Sequence, residues 1–364
     1  MLDTSDNDVL DEGLTRLAAT GPEFRGGLSN HGPMAAEALV RLGRSDAVEH
    51  WLDGYLPQLE PAPSPSDRIT DQAWPDALGK YDRVADWTEY FRDQLKDDPW
   101  RDVLARWWPR LLPGVAAAAT HGIIRTSHAA RSLAAAEATE TAGTPASGVT
   151  GPRLDELANA FAYWAASYFE IPGAAPASGT LDLPAAIRGL PVVTEDVPGD
   201  MISARLKAGV AREPGFGQAV AALAAPAGPD AARAALRDLA RVFAGNFLVY
   251  GRKQPITWLH AVTSPVAAYS ALPLLPDELA RPTYDALWTV GAAIYTVHAG
   301  IASPEPLPAA TPPAPDDLTD RAVATADEHA IKLTEACLRL HAQTPDPVLL
   351  HAAARASALL GTSS

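Results

Sequence analysis

The chain has 364 residues, of which 47% are hydrophobic and 20% are charged, and its formal charge is −15 at pH 7. This composition is typical of a globular protein with ample core and excludes a disordered chain. The negative charge disfavours nucleic acid and anionic membranes as partners, since both would repel it.

Helical periodicity dominates the sequence in chain order. We predict helices over residues 7–20, 32–43, 45–54, 84–96, 99–108, 114–136, 152–169, 200–212, 216–225, 229–249, 256–271, 276–302, 317–342 and 346–360. Residues 190–197 come nearest to a strand and are equally compatible with an extended loop. Pro-, Gly- and Ala-rich breaks separate the helices at 60–67, 142–152, 171–179 and 303–317. None is long and polar enough to mark a domain boundary, so we predict one large, mainly α, multi-helical domain over residues 1–364.

The N-terminus and the most apolar segment indicate where the protein is located. The N-terminus, MLDTSDNDVLDEG, is acidic and lacks the basic start and apolar run of a signal peptide. The most apolar window, residues 287–302, is shorter than a membrane span. We therefore predict a cytoplasmic protein.

Cys337 lies among apolar helical residues, which favours a buried, inert thiol.

Familiar nucleotide, zinc-protease and hydrolase motifs are absent, which directs attention to the nine histidines. His31, in SNHGPMAAEAL, lies at the start of a helix that Ser29 or Asn30 offers to cap. There it either faces a pocket or packs structurally. His260 and His298 lie in apolar segments, where a buried imidazole needs a partner or a metal. The remaining His50, His341 and His351 favour surface positions.

His121 and His128 share one helical stretch, HGIIRTSH. They are seven positions and roughly 10 Å apart along a helix axis, too far for both to bind one metal ion. We prefer His121 as a ligand, because Gly122 and a preceding Ala run allow close packing. His128 then has a supporting or structural role.

His329 and Lys332 lie three positions apart in ATADEHAIKLTEACLRL. If residues 317–342 form one helix, its apolar stripe is Ala322, Ala326, Ala330, Leu333, Cys337 and Leu340. Helical phase then turns Asp327 and Glu328 away from His329 and leaves Lys332 as its ionisable neighbour.

Lys332 allows two interpretations. Its ammonium group can reach solvent past the edge of the core. Alternatively, a buried amine with a lowered pKa can react with carbon dioxide and supply a carbamate, which is a carboxylate ligand on a long stem.

Four segments, GGLSNHGPMAAEAL, DPWRDVLARWWPRLLPGVAAAATHGIIRTSHA, WLHAVTSP and DEHAIKLTEA, resemble in this order the questin oxidase family, whose fungal members open anthraquinone rings. The resemblance implies a non-haem iron oxygenase that cleaves a C–C bond of an aromatic polyketide with O2, by dioxygenase or Baeyer–Villiger-like chemistry. It implies Fe(II) bound by His31, His121, His260, His329 and a carboxylated Lys332. NADPH is a candidate external reductant.

The substrate side of such a site is less specific. Fungal members differ after the position of His121, where this chain has Arg125 and His128. We add Asn30, Tyr250 and Trp258 as candidate pocket residues, the last two as aromatic walls for a flat substrate. Two other classes remain open: a metal-dependent hydrolase with a carboxylated lysine, and a non-catalytic helical binding protein. The sequence does not indicate an oligomeric state.

Overall fold

The protein is built almost entirely from α-helices, which confirms the predicted fold class. The computed structural model describes residues 4–141 and 149–361, and it is 68% helical. The described residues form seventeen α-helices and one two-stranded antiparallel hairpin. Within them, none of the helices combines the length and apolarity needed to cross a membrane.

The chain divides into two compact units. The first comprises Met1–Leu111 and His121–Tyr168, and the second comprises Leu112–Thr120 and Phe169–Ser364. The boundary after Tyr168 lies close to the predicted break at 171–179, whereas part of the break at 142–152 lies outside the described residues. The interpretation as a single domain stays a prediction.

The first unit is organised around an aromatic core. Trp87 stacks on Phe91 with ring centroids 5.5 Å apart, and Phe91 also contacts Trp107 and Phe161 at 4.8 and 5.1 Å. This unit contains strands β1 (Glu23–Phe24) and β2 (Leu28–Ser29) and helices α1 (Thr4–Leu17), α2 (Gly32–Arg41), α3 (Val48–Tyr55), α4 (Trp74–Ala77), α5 (Val84–Asp97), α6 (Trp100–Leu111), α7 (His121–Thr141) and α8 (Gly151–Ala166). Helix α8 packs against both α5 and α7 and thereby holds them in place.

The second unit is centred on its longest helix, α12. It contains α9 (Leu183–Arg188), α10 (Ile202–Val210), α11 (Phe216–Ala221), α12 (Pro229–Tyr250), α13 (Pro255–Ala271), α14 (Ala280–His298), α15 (Pro315–Thr325), α16 (Glu328–Gln343) and α17 (Pro347–Leu360). Helix α12 packs against α13, α14 and α17, and α16 packs against α13 and α17. The α13–α16 contact positions the candidate ligands of this unit.

Two predicted helices differ from the structure at positions that matter for the site. The predicted helix 114–136 begins at His121 instead, after a turn in which Ala118, Ala119 and Thr120 have positive φ. The predicted helix 317–342 is two helices, α15 and α16, because Ala326 adopts a left-handed conformation with φ 52°. Short helices α4 and α9 and the β1–β2 hairpin are missed by periodicity, and residues 190–197 contain no strand.

Candidate metal centre

His31 is held at the start of α2 by its neighbours. It occupies the N-cap position without a capping bond from its side chain, so neither Ser29 nor Asn30 is the cap residue. The His31 backbone N–H donates to the Tyr55 hydroxyl at 2.8 Å. Asn30 accepts from the Gly32 N–H at 2.9 Å and also donates to the Thr20 hydroxyl and to a nearby backbone carbonyl. These bonds use the polar atoms of Asn30 to fix the loop that presents His31.

His121 is presented by a strained turn and a tight helix contact. The residues before it, Ala118 to Thr120, have φ values of 45°, 55° and 72°, which residues other than glycine rarely adopt. On its other side, a Cβ at Gly122 would lie 2.5 Å from Trp164 Cγ. Glycine therefore lets the first turn of α7 approach α8. The contact at Gly122 confirms the predicted close packing there, whereas the preceding Ala residues form a turn instead of the predicted helix.

His31 and His121 form a close pair within the first unit. Their Nε2 atoms are 2.7 Å apart, their ring centroids are 4.6 Å apart, and both side chains are buried. Two imidazoles that bind one metal ion at about 2 Å each have their nitrogens about 3 Å apart. The pair therefore has a geometry that can bind a metal with little adjustment.

His128 and Arg125 lie on the same helix as His121 but bind carboxylates. His128 Nδ1 lies 2.9 Å from Glu37 Oε2. Arg125 donates from Nε and Nη2 to the two oxygens of Glu156 at 2.6 and 2.7 Å. Sequence reasoning missed both acids. Each is an acidic residue within a helix of mostly apolar residues, and that pattern is the signal that indicates a buried partner.

The second unit brings His260 and His329 together. Their rings, on α13 and α16, meet edge to face with centroids 5.7 Å apart. Burial, together with the charge of Lys332, lowers the pKa of His260 to about 3. His260 is therefore neutral at pH 7 and keeps a nitrogen lone pair, which metal binding requires.

Lys332 is buried, one turn after His329. Only 2% of the residue is exposed, so the interpretation in which its ammonium group reaches solvent is wrong. Burial lowers the pKa of the Lys332 ammonium to about 8, although the charges of Glu328 and Asp327 oppose the shift. About a tenth of such a side chain is a neutral amine at pH 7. The neutral amine is the form that binds a metal or reacts with carbon dioxide.

Asp327 and Glu328 lie beside His329, contrary to the helical-phase argument. His329 Nδ1 is 3.7 Å from Asp327 Oδ1 and 3.6 Å from Glu328 Oε1. Because the helix breaks at Ala326, Asp327 is the N-cap of α16 and accepts from the backbone N–H groups of His329 and Ala330. Ala326 itself is exposed rather than part of the apolar stripe. Ligand atoms of Asp327, Glu328 and His329 all lie within 4.8 Å of one another, so this group could hold a metal ion.

Tyr250 and Trp258 form one face of an aromatic cluster in the second unit. Their rings stack with centroids 5.4 Å apart, and Tyr295 meets both rings edge-on. Trp258 is buried, whereas Tyr250 and Tyr295 are half-buried. Sequence reasoning missed Tyr295, whose spacing on α14 resembles that of any core aromatic.

The remaining histidines and Cys337 follow the predictions in part. Cys337 is buried, which confirms that part of the prediction, and burial raises the pKa of its thiol to about 12. His50 is exposed, and His341 and His351 are half-buried. His298 is buried, and neither ring nitrogen has a hydrogen-bond partner among the described residues.

No protein-family model matches the chain, and a comparison with curated proteins finds no match either. The resemblance to the questin oxidase family stays a prediction. Two groups of residues are therefore defined by geometry alone, each within one unit: His31 with His121 in the first, and His260, His329 and Lys332 in the second.

Proposed function

We propose that the protein is a non-haem iron-dependent oxygenase that cleaves a C–C bond of an aromatic, anthraquinone-type small molecule with O2. The proposed ligands are His31, His121, His260, His329 and a carboxylated Lys332. The observation that carries the proposal is the 2.7 Å approach of the His31 and His121 Nε2 atoms.

The donor set fits the proposed metal. Imidazoles suit iron, and a single carboxylate supplies the anionic ligand found in many non-haem iron sites. Fe(II) bound by these residues would supply oxygen activation. A carbamate on Lys332 would be buried near Asp327 and Glu328, so a cation beside it would offset the repulsion among the three anions.

The protein residues have separate tasks in this proposal. His260 stays neutral because it is buried, and Asn30 and the Gly122–Trp164 contact hold His31 and His121 in place. Tyr250, the half-buried ring of the Tyr250–Trp258 stack, is the aromatic side chain that would contact a polycyclic ring. The source of reducing equivalents, for which NADPH is the candidate, and the cytoplasmic location stay predictions.

Metal content tests the proposal. Protein prepared without chelators and loaded anaerobically with Fe(II) should contain about one iron per chain, and the His31→Ala, His121→Ala and His329→Ala variants should lose most of it. His50→Ala, which removes an exposed histidine, is the matched control. Folded His31→Ala and His329→Ala variants that keep all their iron would contradict the proposal. Persistent absence of any metal would favour a binding protein instead.

The carboxylated lysine has its own test. Incubation with ¹³C-labelled bicarbonate should give a carbamate carbon signal in the NMR spectrum of the iron-free protein loaded with a diamagnetic metal. The signal should be absent from Lys332→Met. A wild-type spectrum without the signal would remove the carbamate from the proposal while leaving the histidine ligands in place.

The group formed by Asp327, Glu328 and His329 favours a second candidate, a metal-dependent hydrolase. The predicted helical phase turned both acids away from His329 and left a hydrolase without carboxylate ligands there, whereas the 3.6 and 3.7 Å distances place both beside it. Two metal ions per chain, or bound zinc without oxygen consumption in the presence of aromatic substrates, would support the hydrolase over the oxygenase.

A further inference from the structure

A cavity of about 140 Å³ lies within the first unit, between the start of α5, the loops at 18–22 and 62–65, and helices α7 and α8. Its walls include the apolar side chains of Pro22, Val84 and Ala85. Arg125, Thr88 and Asn159 supply polar groups. The lining is thus divided about equally between apolar side chains and polar or charged groups, which could fix the orientation of a small molecule.

Arg125 is the unusual group in this lining. The residue is only 4% exposed, and Nε and Nη2 are both bound to Glu156. Its Nη1 atom is buried and has no hydrogen-bond acceptor among the described residues. A buried N–H group without an acceptor is costly, which indicates that an acceptor from outside the described chain completes the site.

The charges around the cavity disfavour an anion as that acceptor. The charge of Arg125 is balanced by Glu156. The second arginine of the lining, Arg92, donates to both Glu89 and Asp155, at 2.7 and 3.0 Å. Both arginines are thus already paired with carboxylates, so an added anion would compete with these acids for the same cations. An uncharged oxygen can accept from Arg125 without this competition.

The volume sets the size of the group that carries this oxygen. A cavity of about 150 Å³ lined by apolar side chains binds benzene in another protein. We infer that the cavity binds an uncharged six-membered ring whose carbonyl oxygen accepts a hydrogen bond from Arg125 Nη1.

The cavity and the His31–His121 pair share helix α7. Arg125 follows His121 by four residues, which places both on one side of the helix about 6 Å apart along its axis. A ring bound at Arg125 would therefore lie one helical turn from the residue that carries the His121 imidazole. Its identity as part of the substrate rests on the proposed function, whereas its binding does not.

Three ligands of matched size test the inference in metal-free protein. Acetophenone has the ring and a carbonyl oxygen, ethylbenzene lacks the oxygen, and benzoate carries a charge. We expect acetophenone to bind about tenfold more tightly than either of the others, as measured by isothermal titration calorimetry or ligand-observed NMR. Equal affinities for the three ligands, or no binding of acetophenone, would overturn the inference.

Two variants locate the binding site. Ala85→Leu should fill the cavity and abolish acetophenone binding. The double variant Arg125→Met/Glu156→Met removes the ion pair without leaving a buried charge, so it should fold. It should bind acetophenone and ethylbenzene equally. Full acetophenone binding by Ala85→Leu, or an intact preference in the double variant, would contradict the assignment.

These results separate the two proposals. If acetophenone binds as expected but the protein takes up no iron, the cavity stands and the oxygenase proposal fails. If iron binds to the histidines but the three ligands bind with equal affinity, the oxygenase proposal stands and the proposed ring-binding cavity fails.

Discussion

The two units of the chain bury ionisable groups in different ways. In the first unit the buried charges are paired. Glu37 lies among Arg131, Arg41 and His128, and Arg125 is bound to Glu156. Burial acts to raise the pKa of Glu37, but the surrounding cations hold it well below its usual range.

The second unit instead buries bases whose charge is suppressed. Burial lowers the pKa of Lys332 to about 8, of His298 to about 4 and of His260 to about 3. Neutral nitrogen bases keep their lone pairs, so this unit is suited to metal binding or to reaction with carbon dioxide. The contrast is one of degree, because the second unit also pairs the buried Glu335 with Arg339 and the first also buries His31 beside His121.

We expect the largest loss of stability when the charge of Glu37 is removed. In Glu37→Gln, Arg131, Arg41 and His128 lose the carboxylate that they share. We expect a decrease of about 3–5 kcal/mol in the free energy of unfolding, measured in urea at neutral pH. Glu49→Gln, which changes an exposed acid on α3, should have little effect. A similarly small effect for Glu37→Gln would show that the first unit does not depend on its buried pairs.

The second unit should respond to acid through His298. Its folded pKa of about 4 lies below the value of 6.5 expected in the unfolded chain, so the unfolded state binds the proton first as the pH falls. The stability that the neutral imidazole contributes is complete above pH 6.5 and is lost as the pH falls through 4.

His298→Leu should therefore lose about 3 kcal/mol less stability than wild type between about pH 7.5 and 4. His298→Asn is the matched control, because it keeps a polar side chain but cannot titrate in this range. Its pH dependence should follow that of the Leu variant even if its stability at neutral pH differs. Parallel curves for wild type and both variants would contradict the assignment of a lowered pKa.

A third effect tests how the first unit positions His121. Gly122→Ala places a Cβ 2.5 Å from Trp164 Cγ, so α7 and α8 must move apart. We expect a loss of about 1–3 kcal/mol in unfolding free energy, together with weaker iron binding. Gly54→Ala on α3 is the control, since its Cβ would meet no atom within 4 Å. That variant should gain about 0.5–1 kcal/mol from helix propensity.

The helical class of the fold could be predicted from periodicity alone, but two breaks near the ligands could not. Ala118, Ala119 and Ala326 have positive φ, and Ala is the best helix former, so their local sequence indicates a continuous helix. Only tertiary packing decides against it there. A Gly or Asn at position 326 would have indicated the end of α15.

The sequence could predict which candidate ligands are buried, because burial follows from residue type and its apolar neighbours. It could not predict which side chains lie close together, because that depends on the three-dimensional structure. A histidine in an apolar helix indicates a buried imidazole, as at His260, which is 1% exposed. The proximity of Asp327 and Glu328 to His329 could not be predicted, because it depends on the break at Ala326. The pairing of Arg125 with Glu156 joins residues 31 positions apart, which one sequence does not reveal.

The smallest expected effect concerns the N-cap of α16 and decides between the two proposed chemistries. Asp327→Ala removes the acceptor for the backbone N–H groups of His329 and Ala330 and should cost about 1 kcal/mol. Asp182→Ala, at the N-cap of α9, should cost a similar amount without changing the metal content. Asp327→Asn keeps the cap but weakens any metal bond, so it separates the two roles. If Asp327 only caps the helix, the Asn variant should keep its iron, as the oxygenase proposal requires. Loss of a metal ion from Asp327→Asn at unchanged stability would instead make Asp327 a ligand and favour the hydrolase.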